Sequence, residues 1–173
     1  MGTHAPSPRA VARVLVAFVV LAGLFLMHGL PAGDCGGHGA ASASSVTPAE
    51  KIKRFVDAFA AEAEARPHFP PIWFREIAEG GVHLGPGTMA EVAGIVQKLV
   101  AILQDGTRNH GFRKINPLLV HGSIVGPLLL FFASAGVRER LQRAGLPGAA
   151  QFTRDEVVAH VQRVTLALVE GRM

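Results

Sequence analysis

The sequence predicts an all-α protein: a bundle of about five to six helices, preceded by an N-terminal transmembrane or signal helix and a disordered linker. Three observations predict it. Thr47-Pro48-Ala49-Glu50, Thr88-Met89-Ala90-Glu91 and Thr153-Arg154-Asp155-Glu156 share the Thr-x-x-Glu pattern of a capping box. In that pattern the Thr hydroxyl accepts from an early helix amide while the Glu reaches back to the cap amide. Apolar residues recur behind these boxes at helical spacing, and no run alternates with the period of a half-buried strand.

Three segments follow from composition. Residues 1–33 form a signal or transmembrane segment, 34–46 a flexible Gly/Ala/Ser linker, and 47–173 the helical domain. Arg9 and Arg13 precede an unbroken apolar run, Val14 to Met27. Extended from Ala10 to Leu30, the run is long enough to span a bilayer. No Lys or Arg follows until Lys51, which places the N-terminus inside and the helical domain outside. The alternative is a secretory signal, with Ala41-Ser42-Ala43 as its small-residue cleavage pattern. The helical domain is then membrane-anchored outside the cell or exported, and cytoplasmic if the first segment belongs to unrelated coding sequence. His28, Asp34, Cys35 and His38 sit close together with metal-like spacing, but the Gly-rich context reads as a flexible tail. A single cysteine excludes an internal disulfide.

The helices follow in order. The first covers Pro48 to Ala65, with Ile52, Phe55, Val56 and Phe59 on its apolar stripe, and Arg66-Pro67 ends it. A shorter one covers Pro71 to Glu79 and stops at Gly80-Gly81. The third runs from Met89 to His110, burying Val92, Ile95, Val96, Leu99, Ile102 and Leu103. Gly106 lies inside that pattern at a propensity cost of about 1 kcal/mol, which points to close packing. Gly111 has the left-handed freedom that closes a helix, and Asn116-Pro117 has the cap-then-proline grammar of a new start. The fourth helix runs from Pro117 to Ala133. A short helix follows through Ala144, and the last covers Arg154 to Val169 with Val157, Val161, Val164 and Leu168 on one face.

Ile115 to Val137 contains no charged residue, which gives it two readings. It is a second membrane span, flanked by Arg113-Lys114 and Arg138, or the central helix of a water-facing bundle. The capped, amphipathic helices around it need an apolar helix to pack on, so we read it as buried or interfacial.

Three blocks resemble the C-terminal regulatory domain of TetR/AcrR-type transcriptional regulators. They are residues 48–81, ending in F-R-E-I-A-E-G-G; residues 102–120, I-L-Q-D-G-T-R-N-H-G-F-R-K-I-N-P-L-L-V; and the apolar I-V-G-P-L-L-L-F-F-A with the final amphipathic helix. The resemblance covers residues 47 to 171. It implies a helical bundle that binds a small apolar effector and forms a homodimer through its last two long helices. By that resemblance Gly122, Gly126, Val157, Val161, Val164 and Leu168 form the dimer interface; the candidates for lining a ligand pocket are Trp73, Phe74, Met89, Phe112, His121 and Phe131, although aromatic residues at helical spacing are more often plain core. The family's N-terminal helix-turn-helix has no counterpart in residues 1–46, so direct nucleic-acid binding is not expected. The chain is then a fusion that carries an export or anchor segment, or a truncated or rearranged regulator.

Other chemistry has little to stand on. Basic residues are spread along the chain despite the net charge of +4, so no nucleic-acid face is built. No metalloprotease, hydrolase or phosphate-loop motif is present, and no enzyme, cofactor or metal is implied. Glu76 and Glu79 read as a solvated helix face, and His83, His110 and His160 as loop or surface residues. His121 is the one polar side chain of the charge-free stretch that needs a partner. We read it as structural, bonded to a carbonyl or to Ser123.

Overall fold

The computed structural model describes residues 46–172. The expected N-terminal span, nearly all of the linker and the His28–Asp34–Cys35–His38 cluster lie outside the described residues. Six helices follow in chain order: α1 Pro48–Ala65, α2 Phe69–Ala78, α3 Pro86–Asn109, α4 Pro117–Ala133, α5 Ala135–Arg143 and α6 Arg154–Glu170. No strand occurs among the described residues.

Two of the three capping boxes form. The Glu50 amide donates to Thr47 Oγ1 at 3.3 Å and the Thr47 amide donates to Glu50 Oε2 at 3.0 Å. At α6 the Glu156 amide donates to Thr153 Oγ1 at 3.3 Å and the Thr153 amide to Glu156 Oε2 at 2.6 Å. The Thr88 box does not form. Helix α3 starts one turn earlier, on N-cap Gly85 with Pro86 in its first turn, and Thr88 is buried inside that turn. The fixed φ of Pro86 suits the first helical position and needs no side-chain cap. Helix α2 also begins earlier than expected, at Phe69. Pro70 and Pro71 lie in its first turn, where their missing N–H groups would have had no partner anyway.

Glycines end four of the helices; after α3, Gly111 adopts φ 73°, as its sequence context predicts, and the next amide, that of Phe112, donates to Gly106 O at 3.0 Å. After α2, the amide of Gly80 (φ 76°) donates to Ile77 O and that of Gly81 (φ 73°) to Glu76 O at 2.7 Å. After α5, Gly145 adopts φ 95° and Leu146 bonds back to Leu141 O. Gly171 closes α6 at φ 71°. Only glycine takes these left-handed values without strain.

Helix α4 is the centre. It packs against α1, α2, α3 and α6, while α1 also packs on α3 and α6. Its inner face buries Val120, Ile124, Val125, Leu128 and Leu129. Asn116 caps it by accepting from the Leu118 amide at 2.9 Å. The segment before it is held at α6, where the Arg113 amide donates to Val169 O at 2.8 Å. The core is completed by Ile52, Phe55, Val56, Phe59, Leu99, Leu103, Phe112, Val158, Val161 and Val169.

The charge-free stretch is not one straight span. Helix α4 has 17 residues and turns by 61° into α5 at Ser134. Arg138 secures the bend: it donates to Phe131 O and Ser134 Oγ, and its guanidinium lies 4.4 Å above the Phe131 ring. Among the described residues it is α3, not the stretch from 115 to 137, that is by itself long and apolar enough to cross a membrane.

Candidate functional site

Helix α4 has two unlike faces, and its neighbours define both. Inward, Phe59 of α1, Phe69 and Trp73 of α2, Val92 and Ile95 of α3, and His121, Val125 and Leu129 of α4 enclose a cavity of about 30 Å³. That volume admits about one or two waters. It is roughly a tenth of the smallest ordinary ligand pocket, so an effector enters only if a wall moves. Phe69 and Trp73 stack with ring centroids 5.9 Å apart, forming the α2 wall. That helix is short and packs chiefly against α4, which makes it the wall with least holding it.

His121 is the polar group of this cavity. The remaining lining side chains are aromatic or aliphatic. Burial pushes its imidazole below the ordinary value near 6.5, because a charged ring is costly away from water. The expected bond to Ser123 is not made: Ser123 donates to Leu119 O at 2.9 Å instead. The neutral ring is therefore the favoured form, beside an otherwise apolar space.

The six expected pocket residues separate. Trp73 and His121 line the cavity together. Phe112 is buried against Gly106 at the end of α3. Phe131 sits at the α4–α5 bend, 5.1 Å from the Phe132 ring and 5.7 Å from that of Phe152. Phe74 and Met89 are exposed. Aromatic identity alone did not distinguish a cavity wall from a helix stop or a bend.

Outward, α4 exposes an apolar strip. Leu118, Leu119 and Leu130 are 63%, 63% and 59% exposed, and Gly122 and Gly126 lie between them in the open. A Cβ placed on either glycine meets no atom within 4 Å. These glycines are therefore not required by packing within the chain. The expected α6 stripe is displaced. Helix α6 buries Val158, Val161, Thr165 and Val169, so Val161 belongs to the chain's own core, while Val157 and Leu168 are half-buried and Val164 is exposed. The reason is packing: α6 contacts both α1 and α4, and the face they share takes the more deeply set residues.

A second groove, about 440 Å³ and open to solvent, lies between the end of α3 and the start of α4. Val100, Leu103, Ile115 and Pro117 form its apolar lining, with Arg108 and Lys114 among its polar groups.

A polar cluster sits at the end of α2, where the sequence implied only a solvated face. Glu76 is 2% exposed. Its Oε1 lies 3.1 Å from His83 Nδ1, and its Oε2 accepts from the His83 amide at 3.3 Å. Glu79 Oε2 lies 3.5 Å from the same His83 nitrogen. Helical spacing does not reveal this grouping, because the Gly80-Gly81 turn is what folds His83 back onto α2. The readable signal was that turn itself, placed between an E-x-x-E pair and a histidine.

No family model, curated protein or solved structure matches the chain, so the likeness to TetR-type regulatory domains rests on the three residue blocks alone.

Proposed function

We propose that this chain is a non-enzymatic sensor and pairing module of the TetR regulatory type. In this reading two copies associate through the outer face of α4, and a small apolar effector with one hydrogen-bonding group enters beside His121. The observation that carries the reading is that one helix serves both faces. His121, Val125 and Leu129 face the cavity, and Leu118, Leu119, Gly122, Gly126 and Leu130 form an open apolar strip. An exposed strip of that kind on a central helix favours association, and glycines allow two backbones to approach closely. Half-buried Val157 and Leu168 and exposed Val164 on α6 supply the flank of the contact. The N-terminal apolar segment supplies a membrane anchor or export signal, and the pairing module needs no DNA reader of its own.

Two measurements on the full chain in mild detergent test this. Analytical ultracentrifugation is expected to give a protein dimer that Gly122→Arg converts to monomer. A monomeric wild type would overturn the pairing. The chain has one tryptophan, Trp73, at the cavity wall, so intrinsic fluorescence reports this site directly. Titration with small apolar molecules is expected to change that emission in the wild type and less in His121→Leu.

The competing reading is a helical membrane protein with spans near 10–30 and 115–137, and the observation in its favour is that α4 and α5 taken together, as a pair bent by 61°, are long and apolar enough to cross a membrane. If residues 46–173, expressed without the N-terminal segment, resist alkaline extraction from membranes, that reading gains and the sensor reading fails.

A further inference from the structure

We propose that Glu76, Glu79 and His83 form a binding site for a divalent transition-metal ion of the zinc class. The three offer one ligand atom each within 4.8 Å of one another. The two separations from the imidazole nitrogen are short enough for atoms sharing an ion. With metal–ligand bonds of about 2.1 Å, the 3.1 Å between His83 Nδ1 and Glu76 Oε1 corresponds to an angle of about 95°. The 3.5 Å between His83 Nδ1 and Glu79 Oε2 corresponds to about 113° on the same basis. The second is close to the tetrahedral value and the first is compressed below it. One imidazole with two carboxylates is a borderline donor set, which suits Zn²⁺ or Co²⁺ better than the all-oxygen preference of Mg²⁺ or Ca²⁺.

The supporting shell is already built. Each carboxylate has one oxygen held by a fixed donor and the other turned to the shared point. Glu76 Oε2 accepts from the His83 amide at 3.3 Å, leaving Oε1 toward the imidazole. Glu79 Oε1 accepts from Arg75 Nε at 3.0 Å, leaving Oε2 toward the imidazole. Such outer contacts orient ligands before the ion arrives. The left-handed Gly80 and Gly81 fix the turn that returns His83 to α2.

Burial supplies the thermodynamic reason. A carboxylate that is almost wholly removed from water is costly unless its charge is compensated. Glu79 already has Arg75 beside it, whereas Glu76 meets the His83 imidazole and amide, and a dication there would balance its charge. The side chains of Glu79 and His83 are each 38% exposed, so the remaining coordination positions open to solvent and take water. The site stands apart from the α4 faces and does not depend on the pairing or effector reading.

Titration of the full chain with Co²⁺ tests it. The expected result is one equivalent bound, with the visible absorption of a tetrahedral site, displaced by Zn²⁺. His83→Gln and Glu79→Gln alter exposed side chains and are expected to weaken binding by at least about tenfold while circular dichroism stays unchanged. Glu76→Gln should do the same. A Cys35→Ser/His38→Ala variant is expected to keep the signal, which separates this site from the N-terminal thiol and histidines. The proposal is overturned if His83→Gln binds Co²⁺ as the wild type does, or if the signal disappears with the Cys35 and His38 substitutions instead.

Discussion

Gly106 and Phe112 occupy each other's space: a Cβ added to Gly106 would lie 2.0 Å from Phe112 Cδ2. The Phe112 amide also donates to Gly106 O at 3.0 Å, so ring and backbone fold back together over the end of α3. Gly106→Ala sets two effects against each other. Helix propensity favours Ala by about 1 kcal/mol, but overpacking at a buried ring costs about 1–3 kcal/mol. The clash involves ring carbons of a side chain only 6% exposed, so it wins. Urea unfolding is expected to show a net loss of about 1–2 kcal/mol, partly recovered in the Gly106→Ala/Phe112→Leu double variant.

His121 makes stability depend on pH in a definite direction. Burial lowers its folded pKa below the ordinary value of about 6.5, so the unfolded chain takes up a proton before the folded chain does. Stability therefore rises with pH through the ordinary histidine range and declines as pH falls below it. His121→Leu should flatten that slope. Urea midpoints measured between about pH 5 and 8 check this; an unchanged slope in the variant would assign the dependence to other groups.

Thr165 is wholly buried on α6, and its hydroxyl has no hydrogen-bond partner among the described residues. Burying a hydroxyl unpaired costs free energy that a methyl group of similar shape does not incur. Thr165→Val is expected to raise the unfolding free energy by about 1 kcal/mol, read as a higher urea midpoint with the same m-value.

The capping box of α6 gives a local test. Thr153→Ala is expected to cost about 1 kcal/mol of unfolding free energy. Bonds from the Thr153 amide and hydroxyl hold the Glu156 carboxyl below the usual carboxylate range. Its contribution is thus complete above the ordinary glutamate value and is lost as pH falls through the lowered folded value. Glu156→Gln should reduce the acid-side loss of stability, which thermal unfolding monitored at successively lower pH will show.

Local grammar made the helices readable. Pro48 and Pro117 sit directly after a Thr or Asn cap, and α1 and α4 occupy the residues expected for them. The same grammar misled at Thr88, because Gly85-Pro86 supplies an earlier start that needs no hydroxyl. On α6, adjacent apolar pairs such as Val157-Val158 and Leu168-Val169 give two candidate stripes one residue apart. The buried one includes polar Thr165, so hydrophobicity pointed to the other. The site was less legible. Trp73 and His121 come from elements nearly 50 positions apart, and no periodicity within either states that they share a cavity. Glu76 and His83 meet only through a glycine turn whose direction is a backbone property.

In α4, His121 and Gly122 are neighbours in sequence, one beside the cavity and the next on the open side. Such an arrangement imposes reciprocity on the two events proposed for this helix. Whatever factor separates the effector's affinities for the paired and unpaired chain must also separate the pairing constants with and without effector, because both describe one thermodynamic cycle. A substitution confined to the strip, such as Leu119→Ala, would then be measurable from the cavity side, as a changed effector affinity, although the residue never touches the ligand.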